Sequence, residues 1–225
     1  MNFPDGLLDV GWIYGAYAPL ALIWLWCLRH APWQRLRAPG QLNVWLGTIV
    51  SLTLLWSMKA DIKPGQTMHL LGATAFTLMF GRQLAFVGLS VVLAAVTFNS
   101  SHGVSIGWQS YGLNALMMIA IPVFIARAIL QLVEKLLPAH LIVYVLAAAF
   151  FGTAINVMLT GLASTLVLGL ASVYSMQTLF SDLYPSYVLL AFAEAWITGA
   201  LITIMVVYVP DWVGTFDDRR YLYNK

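Results

Sequence analysis

Residues 7–27 read LLDVGWIYGAYAPLALIWLWC with Asp9 as their one charge, and residues 28–40, LRHAPWQRLRAPG, hold Arg29, Arg35 and Arg37. An apolar run of about 20 residues matches the roughly 30 Å hydrocarbon core of a bilayer. A basic stretch directly after it marks the surface where the helix leaves the lipid. The rest of the chain has the same character: 61% of its 225 residues are hydrophobic and 9% are charged. Soluble domains carry roughly 25% charged residues. Mean hydropathy is +0.83. These features predict an all-α integral membrane protein.

Six more apolar runs follow, at 40–58, 68–80, 84–98, about 112–133, 140–172 and 185–208. The third and fourth are short and separated only by Gly81-Arg82-Gln83. They are read as two crossings, or as a re-entrant pair surrounded by protein. The run 140–172 is long for one crossing, so it is expected to tilt strongly or to break near Thr160-Gly161. One membrane domain, 1–225, fills the chain and ends in a short polar tail, 210–225. Asp5 and Asp9 stand where a cleavable signal would be basic, so the first residues are read as retained. Seven crossings put the termini on opposite sides. With the amino terminus outside, nine of the eleven Lys and Arg residues fall inside: Arg29, Arg35, Arg37, Arg82, Arg127, Lys135, Arg219, Arg220 and Lys225. Only Lys59 and Lys63 fall outside, as the positive-inside rule asks. Met1, His69 and His102 then share the outer face, and the carboxyl terminus is cytoplasmic.

No phosphate-binding loop, paired carboxylates, Ser/His/Asp set, HExxH or CxxC occurs, so no enzyme and no local metal motif is read. Net charge is +2, and the basic residues serve topology rather than a nucleic-acid surface. The single Cys27 excludes an internal disulfide and reads as an apolar filler. Binding or transport is left. His69 opens the third run, in TMHLLGATAF, and is either a ligand for a borderline transition metal or an interfacial histidine bonded to a carbonyl. His102, in NSSHGVS, is a solvated loop residue or a further ligand, with Asn99, Ser100, Ser101 and Gln109 lining an entry path. His30 and His140 lie at the inner side. Glu194 lies within the last run, where it balances a cation, relays a proton or bonds a neighbouring helix. Asn114 and Asn156 suit interhelical hydrogen bonds. Nine methionines raise a copper reading, because thioethers favour Cu(I). Met79, Met117, Met118 and Met205, however, sit inside spans at no special spacing and read as packing.

Four stretches resemble the substrate-specific membrane permease of cobalt and nickel energy-coupling-factor transporters: the opening MNFPDGLL, Met68-His69-Leu70-Leu71-Gly72-Ala73, Gly107–Met118 with Asn114, and Glu194 in FAEAWITGALI. The resemblance covers most of the chain. It implies a vitamin-binding S-component-like bundle with an added amino-terminal span, in a bacterial inner membrane. It also implies a nitrogen-rich metal site built from the Met1 amine, the second residue and His69, open to the outside. Asp5, Gln109, Asn114 and Glu194 would line or support the path to it. A transmembrane coupling protein and ATPase subunits are the implied partners, and cobalt or nickel the implied substrate. The chain departs from the family at Asn2, which stands where the family has His. Either His102 or Met68 completes a changed site and shifts it toward copper, or the site is lost. In the second case the chain is an accessory or structural subunit of a larger membrane complex.

Overall fold

The computed structural model describes residues 2–63, 66–100 and 107–221. All seven apolar runs become helix. The main elements are α1 (Val10–His30, with a turn at Ala16), α2 (Gln41–Ser57), β1 (Ala60–Lys63), β2 (Gln66–Met68) and α3 (Ala73–Ser100). After them come α4 (Tyr111–Leu136), α5 (Leu141–Leu170) and α6 (Met176–Tyr208). By length and hydropathy, five candidate membrane spans stand out: α1, Ala73–Asn99 within α3, α4, α5 and α6. The antiparallel β1–β2 hairpin links α2 to α3.

The third and fourth apolar runs are the two legs of α3. Gly81 has φ 80° and ψ 166°, outside the helical region and readily reached only by glycine. In a straight helix Phe76 and Gly88 would lie about 18 Å apart at 1.5 Å per residue. Instead, the tip of the Phe76 ring lies 2.6 Å from where a Gly88 Cβ would be. The chain therefore doubles back at Gly81. Its first leg, residues 73–80, is only two turns long.

Two prolines explain two irregular turns. Proline lacks an N–H, and its ring crowds the carbonyl four residues earlier. A wide π-type turn at Leu116–Ala120 precedes Pro122, and another at Leu179–Leu183 precedes Pro185. Each covers the crowded carbonyl, at Met118 and Ser181, and lets the helix continue. That is why α6 begins at Met176 rather than at 185. The expected break near Thr160-Gly161 is also absent. Both residues lie in the regular segment Gly152–Leu170, and the irregular part of α5 is the wide turn at Tyr144–Phe151. Gly161 has a different use: a Cβ there would come within 2.7 Å of Tyr187 Cβ, so the glycine admits α6 to close contact.

Buried polar groups join the helices. The Asn156 amide donates to Thr74 Oγ1 and to the Pro122 carbonyl, each at 2.9 Å. After α6 the tail folds back under the short leg of α3. Gly214 N donates to the Met79 carbonyl (2.9 Å), and Thr215 N and Oγ1 donate to the Leu78 carbonyl (3.2 and 2.7 Å). Carbonyls at a helix end generally lack partners within their own helix, and these two lie just before the reversal at Gly81. Val213 is fully buried, and Phe216 and Tyr221 pack on Tyr144.

Candidate metal site

The first residues are built into the bundle. Asn2 and Phe3 are buried, and Asn2 forms a single antiparallel bridge with Thr67, the middle residue of β2. The side-chain amide of Asn114 pairs with Phe3 as a strand would. Phe3 N donates to Asn114 Oδ1 (2.7 Å), and Asn114 Nδ2 donates to the Phe3 carbonyl (2.9 Å). Two residues on, the Asp5 carboxylate accepts from Ser110 N (2.8 Å) and Ser110 Oγ (2.7 Å). The Tyr17 hydroxyl donates to the Trp108 and Gln109 carbonyls, fixing α1 against the same turn. The segment 2–5 thus lies between β2 and the start of α4.

This places Asn2 against His69. The imidazole is 4% exposed. Its Nδ1 lies 3.1 Å from the Leu70 carbonyl. A carbonyl oxygen only accepts, so the tautomer protonated at Nδ1 donates to it. Burial pushes the imidazole pKa down to about 3, so the ring is neutral near pH 7. In a neutral ring protonated at Nδ1, Nε2 holds a bare lone pair. That lone pair faces the Asn2 amide, with Oδ1 at 3.3 Å. Asn2 Nδ2 and Thr67 Oγ1 are buried with no hydrogen-bond partner among the described residues. A half-turn of the amide would bring Nδ2 to the lone pair. A cation between them would instead take both Nε2 and Oδ1. A ligating histidine normally has its other ring nitrogen bonded in this way, to a carbonyl or carboxylate.

The loop from His69 to Gly72 is held from two sides. The Trp56 indole N–H donates to the Leu71 carbonyl (3.0 Å), and its ring lies 4.8 Å from the His69 ring. From α6, Glu194 accepts from Leu71 N through Oε1 and from Gly72 N (3.3 Å) through Oε2. Of its three expected roles, the bond to a neighbouring segment is the one seen. Gly72 has φ +64°, and an added Cβ would come within 2.5 Å of Leu52 Cδ2, so no larger residue fits this corner.

Asn2, Asp5, His69, Asn114 and Glu194 therefore come together at one end of the bundle. Gln109 does so through its backbone carbonyl, while the residue itself is exposed. Met1 and His102 lie outside the described residues. Among the described residues no three His, Cys, Asp or Glu side chains cluster. Met79 and Met118 are buried in the core, as packing, and Cys27 is fully buried. His30 and His140 bond to local backbone, at Trp26 and Ile142. Sequence reasoning missed Trp56, Thr67 and Ser110. Their partners are 13 to 105 positions away, and nothing local marks them.

The same fold occurs in solved transition metal transporters. One, a truncated transition metal transporter, superposes with a TM-score of 0.75 at 18% identity, covering 92% of this chain and 99% of that one. A second transition metal transporter gives a TM-score of 0.73 at 19% identity over 91% and 92%. Among curated proteins there is no match. The family model for the cobalt uptake substrate-specific transmembrane region (CbiM) matches residues 2–212, and the chain belongs to that family.

Proposed function

We propose that the chain is the metal-selecting permease of a cobalt- or nickel-type uptake system, receiving a divalent ion at the end that carries Asn2 and His69. The observation that carries this reading is the buried imidazole, whose Nδ1 lies on the Leu70 carbonyl and whose Nε2 faces the Asn2 side chain. The Met1 amine and the Asn2 backbone nitrogen are separated by two carbons, so together they close a five-membered chelate on an ion held by His69. His102 is a further candidate ligand. Asn2 replaces an imidazole with an amide, which weakens the preference for a flat all-nitrogen nickel site and leaves copper as a competing ion. Asp5 and Asn114 keep the amino-terminal segment in place, and Gln109 belongs to the turn they grip. The chain has seven crossings with the amino terminus outside, in a bacterial inner membrane, and works as one domain with a coupling protein and ATPase subunits.

The test is elemental analysis of gently purified protein beside His69→Ala, with uptake of labelled Co²⁺ and Ni²⁺ in cells. Loss of bound metal and uptake in a folded variant is expected. Retention of both overturns the reading. The contact between Asn2 and His69 favours a second reading, in which the opening is a plug and the chain an accessory subunit. It requires metal-free wild-type protein that copurifies with an unrelated membrane complex.

A further inference from the structure

The segment His69–Gly72 lies outside helix and strand, and Leu71 within it is 1% exposed. Irregular backbone at such depth must have its polar groups met by side chains. Here they are met in a pattern. The Leu70–Leu71 peptide has its C=O bonded to His69 Nδ1–H and its N–H bonded to Glu194 Oε1. The next peptide, Leu71–Gly72, has its C=O bonded to the Trp56 indole N–H and its N–H bonded to Glu194 Oε2. Each peptide is planar and rigid, so whatever holds its N–H also aims its C=O. One carboxylate therefore aims two consecutive carbonyls at two ring N–H groups. Those two rings touch each other.

We propose that Glu194 is the positioning residue for the His69 lone pair, acting through the Leu70–Leu71 peptide, with Trp56 as the parallel brace. This rests on the reading of His69 as a metal ligand. A carboxylate bonded to the N–H polarises the peptide and strengthens its carbonyl as an acceptor. The stronger acceptor draws on Nδ1–H and raises the donor strength of Nε2. Metal-bound histidines elsewhere obtain the same effect from a directly bonded carboxylate. In this chain a peptide is interposed, which lets the carboxylate sit on α6 while the imidazole sits before α3. Glu194 touches no substrate. Its effect on an ion is indirect.

The test compares wild type, Glu194→Gln, Glu194→Asp and the control Asn156→Ala, an equally buried interhelical amide outside the relay. Glu194→Gln keeps one acceptor oxygen and replaces the other with an NH₂ group that cannot accept. Calorimetric titration with Co²⁺ should show affinity reduced about 10- to 100-fold in Glu194→Gln, the range typical of lost outer partners of ligating histidines. Asn156→Ala should stay within about threefold of wild type although it melts earlier. A metal-free readout accompanies this: ¹⁵N shifts of His69 in histidine-labelled protein. Glu194→Gln should move both ring nitrogens, and Asn156→Ala neither. Unchanged affinity and shifts in Glu194→Gln overturn the proposal. If wild type takes up no Co²⁺ or Ni²⁺, the metal reading falls and the shifts alone judge the relay. If Glu194→Gln does not fold, Glu194→Asp decides: moved His69 shifts in the folded variant support the relay, unmoved shifts overturn it.

Discussion

The short leg of α3, residues 73–80, is capped at both ends by chain segments far away in sequence, and the caps differ in kind. At the His69 end a side chain does it: Glu194 takes the N–H groups of Leu71 and Gly72. At the other end the backbone does it: Gly214 and Thr215 bring N–H groups to the Met79 and Leu78 carbonyls. Both obey the same rule. Helix starts leave donors and helix ends leave acceptors, and the macrodipole favours a carboxylate at the start. The difference lies in how each end fails. One substitution removes the whole cap at the His69 end, whereas no single side chain carries the cap at the tail end.

Glu194→Ala should show the largest effect, because two buried amides lose their acceptor. A cost of about 2–6 kcal/mol follows from one to three per orphaned group. It is read as a large fall in melting temperature of the detergent-purified protein. A small fall would mean that water or another side chain takes over. Asn114→Ala tests the neighbouring grip, leaving both Phe3 backbone groups unpaired. The same arithmetic applies, and the cost should fall toward the lower end of about 2–6 kcal/mol because neutral amide bonds are weaker than bonds to a carboxylate. Hydrogen exchange should rise at Phe3 and leave Gly214 and Thr215 protected. Equal exchange at both ends would erase the contrast.

Acid should also act on one end first. His69 titrates near 6.5 when exposed and near 3 when folded. Between those values the unfolded chain binds the extra proton. Stability is therefore lost as pH falls from about 6.5 toward 3, by up to about 1.4 kcal/mol per pH unit. The melting temperature of wild type should fall more steeply with acid than that of His69→Ala. Parallel slopes would place the acid sensitivity elsewhere. Thr215→Val is the smallest test. It removes the hydroxyl bonds to Leu78 and Tyr144 but keeps the backbone cap, so about 1–3 kcal/mol is expected, for the one orphaned Tyr144 hydroxyl. A larger loss would show that the tail relies on side chains after all.

The helices were legible because lipid dictates them: a run of the right length with no charge has few alternatives. Gly81-Arg82-Gln83 was legible as an interruption, and it is the reversal of α3. Gly161 misled because glycine marks both breaks and close approaches, and only its neighbour Tyr187 tells which. The start of α6 misled because Pro185 reads as a boundary, whereas a wide turn absorbs it. His69 stood out as an ionisable group at a membrane edge. The grip around it did not: Glu194 meets backbone N–H groups 122 and 123 positions away, and backbone groups look alike in any sequence. The pairing of Asn114 with Phe3, 111 positions apart, is invisible for the same reason.

The burial of Asn2 also bears on timing. With Asn2 2% and His69 4% exposed, no hydrated ion can touch Nε2 while the Asn2–Thr67 bridge is closed. Any ion held at this imidazole enters and leaves only when the opening strand lifts. Its residence time then depends on how often that strand peels away, as much as on how strongly the nitrogen holds it.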